Sequence, residues 1–448
     1  MHKAGDKMNP ENYRPISVVS TVMKTFEKFI HKQLYSYLND NNLLTDCQSG
    51  FRPLHSTCSV LLDLNEYFLR CIDEGYAIGA IFLDLKRAFD TVNHNILFNK
   101  LAKYGVQDKE LSWFVNYFSD REQCVCIKGA KSAFKRVSVG IPQGSLLGPL
   151  LFTIFVNDIC CIDLGVDTKL CLYADDTAVF VRSKNVNQLS QLLQSKLDLI
   201  GQWLDLNCLV MNSKKTKVML IGSKGRLKNH TLHVMHKGTC IEHVYSFKYL
   251  GVIIDSCLKW DKHINAISLK ISRIIGYIRR IKHYLPDDVM RLLYNSLILP
   301  QLDYCNVVWG RSAHCHLDKL QKLQNRYARM ILKADILTPH RQMLSQLQWQ
   351  TVRQRVRYQC CVYLYKIING MTPVYLKPLV IVRFTPFYTR YAFNSPLFVR
   401  TPRTDYYKKS FHYEVSTMWN NLPSFIRSAQ SLSTFKKSCR MLSMIDRL

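Results

Sequence analysis

The sequence lacks any long hydrophobic segment. None of its apolar runs reaches the roughly 18 to 20 residues that a helix needs to cross a bilayer. The opening residues, MHKAGD, do not have the pattern of a secretory signal peptide either. These two absences predict an intracellular protein with no membrane anchor.

Acidic residues are scarce relative to basic ones. The chain has 33 Asp and Glu against 61 Lys and Arg, which gives a formal net charge of +28. A surplus of this size indicates a polyanionic partner. Because no membrane segment is present, nucleic acid is the favoured partner.

The 16 cysteines lack the regular spacing of a disulfide framework. In a chain without an export signal, this predicts reduced thiols. One group offers metal-ligating atoms, namely Cys305 with His314, Cys315 and His316. Zinc sites usually have closely spaced ligand pairs on both sides. Since Cys305 stands alone, a buried apolar cysteine is the favoured interpretation, and a zinc site is left open.

Internal repeats and low-complexity segments are also missing, so Gly and Pro residues divide the chain more usefully than composition does. Its 448 residues, of which 48% are hydrophobic, exceed one compact core and predict two or three packed units.

Two adjacent carboxylates, Asp175 and Asp176, lie inside an apolar stretch with the sequence LYADDTAVFV. Apolar residues on both sides predict a hairpin with the acids at its tip. Like charges this close resist joint ionisation unless a cation neutralises them. A pair of Mg²⁺ ions bridging an attacking and a leaving oxygen is a common use of such a site. An isolated Asp-Asp pair, however, is more often an ordinary turn.

A third carboxylate, Asp84, ends a predicted hydrophobic strand about ninety residues upstream. It could complete a metal site with the Asp175 and Asp176 pair. The sequence around these acids decides between a metal site and an ordinary Asp-Asp turn.

Three strings in this order resemble the successive palm blocks of reverse transcriptases: FLDLKRAFDTVNH, VSVGIPQGSLLGPLLFTIFVNDI and LYADDTAVFV. The chain is most similar to the second open reading frame of non-LTR, LINE-type retrotransposons of the Jockey-like and chicken-repeat-like group. NYRPIS and QSGFRP resemble that family's fingers blocks, KKTK at 214–217 the next palm block, FKYLGV the primer grip, and WNNLP its closing residues.

The resemblance implies an α+β fold of the right-hand polymerase type. Fingers would span residues 1–75, a palm with an antiparallel sheet 76–255, a helical basic thumb 256–335, and a mostly helical basic and aromatic region 336–448. Apolar spacing supports a fingers helix through Phe26 and Leu34, a palm helix from Leu189 to Leu204, and a thumb helix with isoleucines on one face. Basic side chains interleave with those isoleucines and would face a phosphate backbone.

The resemblance also implies primer extension with deoxynucleoside triphosphates on an RNA template. Asp84 and Asp175 would bind two Mg²⁺ ions, for which Mn²⁺ would substitute, with Asp176 as a weaker ligand. Lys215 or Lys217 would be the general acid for pyrophosphate, and the sequence does not choose between them. Exposed lysines without a role are the alternative.

Other roles follow from the resemblance residue by residue. Arg52, Gln143 and Gly144 would contact the nucleotide, and Phe89 would exclude a 2′-hydroxyl. Pro142 would lie under the templating base. The primer would be held by Phe247, Tyr249, Leu250 and Gly251.

Two alternatives to an active polymerase remain at this stage. The chain could be an inactive or domesticated RNA-binding remnant, although all three acids are present. It could also be an intron-encoded maturase, which the LINE-like tail argues against. Relatives carry an endonuclease upstream, and Met1 lies only about ten residues before NYRPIS. We therefore expect no endonuclease function in this chain, and nuclear action if it is active.

Overall fold

The computed structural model describes residues 15–127, 129–383 and 396–444, together with residues 2, 6–9 and 13. Asn12 and Arg14 of the NYRPIS string lie outside the described residues, as do Tyr388, Arg390 and Tyr391 of the aromatic and basic region. The described part combines helices with a mixed five-stranded sheet and smaller antiparallel sheets, which confirms the predicted α+β class.

Helices dominate both ends of the chain, and strands occupy its middle. The strands are β1 (Ala77–Leu83), β2 (Glu122–Gln123), β3 (Cys126–Ile127), β4 (Ala130–Lys131), β5 (Lys135–Arg136), β6 (Thr168–Tyr173), β7 (Asp176–Ser183), β8 (Lys217–Ile221), β9 (Met235–His236), β10 (Thr239–Cys240), β11 (Glu242–His243), β12 (Ser246–Tyr249) and β13 (Val252–Asp255). The helices are α1 (Thr21–Asp40), α2 (Thr57–Asp73), α3 (His94–Lys103), α4 (Asp108–Phe118), α5 (Gly148–Val156), α6 (Leu189–Leu206), α7 (Lys224–Leu227), α8 (Asp261–Ile281), α9 (Asp287–Leu293), α10 (Leu299–Asp303), α11 (Asn306–Trp309), α12 (His314–Leu332), α13 (His340–Leu347), α14 (Val352–Ile368), α15 (Asp405–Lys408), α16 (Phe411–Asn421), α17 (Ser424–Arg427) and α18 (Leu432–Met444). None of the described helices has both the length and the apolar character needed to cross a bilayer.

The central sheet has the strand order β11-β8-β1-β7-β6. Strand β1 runs antiparallel to both β7 and β8, and β6 and β7 form the predicted hairpin. The register places Leu83 opposite Thr177, and Tyr173 opposite Asp176 at the tip of the hairpin. The end of β1 and the hairpin tip therefore meet at one edge of the sheet.

Both faces of this sheet are covered, and its central strand β1 is apolar and buried along its whole length. Successive side chains of a strand point to opposite faces. On β1, Ile78, Ala80 and Phe82 join a core that includes α2, the α8–α12 helices and the C-terminal helices. Ala77, Ile81 and Leu83 join a second core with α1 and α3 to α6. The sheet lies between these two cores and is fixed by both.

The helix predicted after the hairpin is observed as α6, and Leu189, Leu193, Leu197, Ile200 and Leu204 face the second core. In α8, the isoleucines at 264, 267, 271, 275 and 278 are buried as predicted, whereas Ile281 is largely exposed. The interleaved cations of this helix are exposed.

Helix α1 is present as predicted, but its apolar face is only half covered. Leu34 and Leu38 are buried, whereas Val22, Phe26 and Phe29 are exposed. The buried apolar residues of this helix, Leu34 and Leu38, lie in its second half, and helical spacing alone cannot show which turns have a neighbour.

The C-terminal helices are attached to α2 by buried acids. The Glu66 carboxylate accepts hydrogen bonds from the backbone N–H groups of Phe411 and His412, at the start of α16, and lies 3.5 Å from Nη2 of Arg311. Asp73 accepts from the backbone N–H groups of Arg403 and Thr404. Burial raises the pKa of Glu66, while Arg311 and the two N–H donors oppose that shift.

We expect Glu66→Ala to lower the free energy of unfolding by about 3 kcal/mol or more, because it leaves the buried Arg311 cation without its carboxylate. Glu414→Ala is the matched control, since Glu414 lies 4.0 Å from Arg311 but is 40% exposed. It should cost about 1 kcal/mol or less. Urea unfolding followed by circular dichroism measures both. Equal losses would contradict this account of the α2 attachment.

Candidate active site

Three carboxylates gather where β1 and the β6–β7 hairpin end. Asp84 directly follows β1, Asp175 lies in the two-residue turn of the hairpin, and Asp176 begins β7. Because Leu83 pairs with Thr177, the next residue along each strand brings Asp84 beside Asp176. The structure therefore places the three predicted acids at one site.

The pKa of Asp176 is affected by its burial and by the two neighbouring carboxylates. The pKa of Asp176 is raised to about 6, first by desolvation and then by the negative charges of Asp175 and Asp84. Solvent still reaches the Asp176 side chain, so an ion can approach it. A bound cation would relieve the repulsion that raises this pKa.

The backbone of Asp84 is held by the segment before β8. Its N–H donates to Oγ1 of Thr216 at 3.2 Å, and its carbonyl accepts from the N–H of Asn212 at 2.7 Å. Thr216 is completely buried. The position of Asp84 is thus fixed by the strand before it and by the 212–216 turn beside it.

The fit of this site to a divalent metal rests on its donor chemistry. Three carboxylates supply the oxygen ligands that Mg²⁺ prefers. In the part of the chain that the structure describes, no group of three or more His, Cys, Asp or Glu side chains, these three carboxylates included, is already arranged around a metal position. Of the residues considered above as a zinc site, Cys305 is buried beside Thr57, whereas His314 and Cys315 are exposed at the start of α12.

Phe89 and the PQG loop contact each other next to the carboxylates. The Phe89 ring stacks on Phe152 with centroids 4.2 Å apart, and its carbonyl accepts from the N–H of Ile141 at 2.8 Å. The Gln143 side chain donates from Nε2 to Oδ1 of Asp90 at 2.7 Å. The predicted sugar-excluding ring and the predicted nucleotide-contacting amide therefore belong to one packed unit.

Glycine is required at one end of this loop by a close backbone contact. Gly144 has a φ of +112°, and a Cβ there would lie 2.9 Å from the Ser17 carbonyl oxygen. The Ser17 N–H in turn donates to the carbonyl of Gln143, and Pro142 begins the turn that closes on the N–H of Ser145. The loop is thereby tied to the chain preceding α1.

The predicted primer grip is the β12–β13 hairpin. Phe247 stacks on Phe82 of β1, with ring centroids 4.3 Å apart, and Tyr249 is buried against the same ring. The hairpin turn, Leu250 and Gly251, has positive φ at both residues. This turn is held by Tyr304, whose hydroxyl donates to the Leu250 carbonyl at 2.8 Å.

The predicted cationic residues are placed differently from one another. Arg52 donates from Nη1 to the carbonyls of Thr45 and Gln48, so its guanidinium is engaged by its own loop. Lys217 forms an ion pair with Glu242 at 2.7 Å, whereas Lys215 is exposed. The structure thus separates the two lysines that the sequence left equivalent.

Sequence reasoning missed three residues that contact this site. Thr216 binds the backbone of Asp84, Tyr304 binds the β12–β13 turn, and Gln48 binds the turn that carries Asp175. Gln48 and Thr216 lie within or beside strings that resemble family blocks, but their burial cannot be read from the sequence. Tyr304 lies far from any of those strings.

Comparison with known proteins identifies the class to which this fold and site belong. Residues 1–254 match the family described as reverse transcriptase (RNA-dependent DNA polymerase). The matched range contains α1, the central sheet and all three carboxylates, and it covers more than half of the chain. The chain therefore belongs to the reverse transcriptase family.

The particular relatives are proteins of insect mobile elements. The chain is 29% identical over 371 residues to the "Probable RNA-directed DNA polymerase from transposon BS" of Drosophila melanogaster, covering 80% of this chain and 40% of that protein. It is 30% identical over 344 residues to the RNA-directed DNA polymerase from mobile element jockey of the same species, covering 74% and 37%. The chain spans about two fifths of the length of these relatives. A solved structure of apo telomerase from Candida tropicalis aligns with a TM-score of 0.39 and 13% identity, over 79% of this chain and 55% of that one.

Proposed function

We propose that the chain is an RNA-directed DNA polymerase of a non-LTR retrotransposon, which extends a primer 3′-hydroxyl with deoxynucleotides on an RNA template. The observation that carries the proposal is the strand register that gathers Asp84, Asp175 and Asp176. Family membership supplies the reaction class. Action in the nucleus, which the resemblance to LINE-type elements implies, is part of the same proposal.

The carboxylates would hold two Mg²⁺ ions, or Mn²⁺ in their place. Asp84 and Asp175 would be the bridging ligands and Asp176 the weaker one. Bound there, the ions would lower the pKa of the attacking hydroxyl and neutralise charge on the triphosphate. The protein's own contribution is to hold primer, template and nucleotide in line, since positioning and charge stabilisation provide most of the catalysis of phosphoryl transfer.

The surrounding residues would bind and orient the substrates. Phe247, Tyr249, Leu250 and Gly251 would hold the primer end, and Pro142, Gln143 and Gly144 would lie under the templating base and nucleotide. Arg52 would reach the triphosphate only by leaving its loop carbonyls. Lys215 is the better candidate for protonating pyrophosphate, because Lys217 already pairs with Glu242. The exposed cations of α8 would follow the phosphate backbone.

Primer extension on an RNA template with Mg²⁺ tests this function. Asp175→Asn keeps the size of the side chain but removes a negatively charged metal ligand, so extension should fall by roughly 100-fold or more. Asp288→Asn, at an exposed carboxylate in the first turn of α9, is the matched control and should leave extension unchanged.

The outcomes of this experiment separate the proposal from its alternative. Loss of extension in Asp175→Asn alone, with RNA binding retained, supports a metal-dependent polymerase. If the wild-type chain binds RNA but does not extend the primer, the polymerase proposal fails and an inactive RNA-binding remnant takes its place.

Phe89→Val should admit ribonucleotides, because it removes the flat ring that would occupy the space of a 2′-hydroxyl. Discrimination between deoxynucleotides and ribonucleotides should fall by at least about tenfold, measured as the ratio of the two kcat/KM values. Phe89→Tyr keeps the ring and should retain the discrimination. Unchanged discrimination in Phe89→Val would show that this ring only packs against Phe152.

A further inference from the structure

Gln48 is a fully buried amide at the tip of the hairpin that carries Asp175. Its Oε1 accepts from the N–H of Ala174 at 3.0 Å and from the N–H of Gly50 at 2.7 Å. Its Nε2 faces the carbonyl of Ala174 at 3.4 Å. One side chain therefore contacts both backbone polar groups of the residue immediately before Asp175.

The turn at Ala174 needs such a partner. Ala174 has a φ of +56°, in the left-handed region that residues with a Cβ adopt at a cost. The orientation of the Ala174 peptide determines where the next side chain, Asp175, points. A turn held only by its own strands could relax, and the Asp175 carboxylate would then move away from Asp84 and Asp176.

Residues 47–50, which we call the clamp, approach the hairpin turn this closely because residue 50 is glycine. A Cβ on Gly50 would lie 2.3 Å from the backbone nitrogen of Ala174, so only glycine fits against the turn. Gln48 and Gly50 both belong to the QSGFRP string. Their contacts indicate that this part of the string helps to fix the turn of the β6–β7 hairpin.

The clamp is itself anchored to the sheet. The N–H of Ser49 donates to the carbonyl of Leu172, and the N–H of Leu172 donates to the carbonyl of Cys47, both at 2.9 Å. Residues 47–49 thereby extend the sheet beyond β6. Arg52 fixes the same loop by donating to the Thr45 carbonyl at 2.5 Å. The loop is therefore ordered by the fold, without help from a substrate.

We infer that Gln48 is a positioning residue of the polymerase site, which holds the Ala174 peptide so that Asp175 is directed toward Asp84 and Asp176. The inference rests on the proposed function, because Asp175 is the carboxylate whose placement the reaction would need. Gln48 would touch neither substrate nor metal, and its effect would pass entirely through the turn.

Gln48→Met tests this role, since methionine has a similar length but no amide. We expect kcat for primer extension to fall about 100-fold, as small displacements of reacting groups can cost that much, with the nucleotide KM and the primer–template Kd changed by less than about threefold.

Ser49→Ala is the matched control. Ser49 is buried in the same loop and bonds through Oγ to Tyr375 and His55, but it does not contact Ala174 through its side chain. Its kcat should stay within about threefold of wild type. A loss as large as in Gln48→Met would show that the loop is merely fragile and would overturn the inference, as would wild-type kinetics in Gln48→Met. If Gln48→Met does not fold, Gln48→Asn, whose amide is one methylene too short, takes its place with the same expected result.

Amide hydrogen exchange of the segment 170–178 provides a readout that does not depend on activity. Exchange should accelerate in Gln48→Met and remain at the wild-type rate in Ser49→Ala. Equal exchange in Gln48→Met and wild type would overturn the inference. If the wild-type chain does not extend primers but exchange accelerates as expected, the proposed function fails while the clamp on Ala174 stands.

Discussion

The placement of three carboxylates at one edge of the central sheet is the constraint on which the rest of this structure depends. The pKa of Asp176 is raised to about 6, first by desolvation and then by the negative charges of Asp175 and Asp84. Like charges this close repel one another unless a cation neutralises them. The strand register brings them together, and the packing on both sides of the sheet keeps them there. A bound cation would relieve the repulsion among these carboxylates, so the site is suited to bind cations.

The segments around the carboxylates are attached to the same sheet by contacts that are distant in sequence. The 212–216 turn holds the backbone of Asp84, the Gln48 loop holds the hairpin turn, and Tyr304 holds the β12–β13 turn. The β12–β13 hairpin also packs on β1, because Phe247 stacks on Phe82. These contacts position Asp84, the hairpin turn and the predicted primer grip relative to the central sheet.

Local patterns in the sequence were sufficient to predict the central elements. The hairpin and α6 follow from apolar spacing between turn residues, and the buried face of α8 follows from its isoleucines. The meeting of Asp84 with Asp175 and Asp176 did not follow from spacing. It was expected from the family resemblance, because strand pairing over ninety residues leaves no local signal.

Features that depend on a distant partner could not be predicted. The exposure of Phe26 and Phe29 on α1 depends on which neighbour is present, and the pairing of Lys217 with Glu242 depends on the parallel alignment of β8 with β11. The same applies to Gln48, a polar residue whose complete burial is explained only by its contact with Ala174. Division of the chain into fingers, palm, thumb and C-terminal region stays a prediction.

Binding of Mn²⁺ tests the central claim most directly, because it reports on the carboxylates whether or not the chain is active. Electron paramagnetic resonance would measure free Mn²⁺ during titration of the chain with primer–template and nucleotide bound. We predict two bound ions per wild-type chain, with binding weakened in Asp84→Asn and in Asp175→Asn but not in Asp288→Asn. Equal Mn²⁺ binding by all four proteins would contradict the account, because the gathered carboxylates would then not form the metal site.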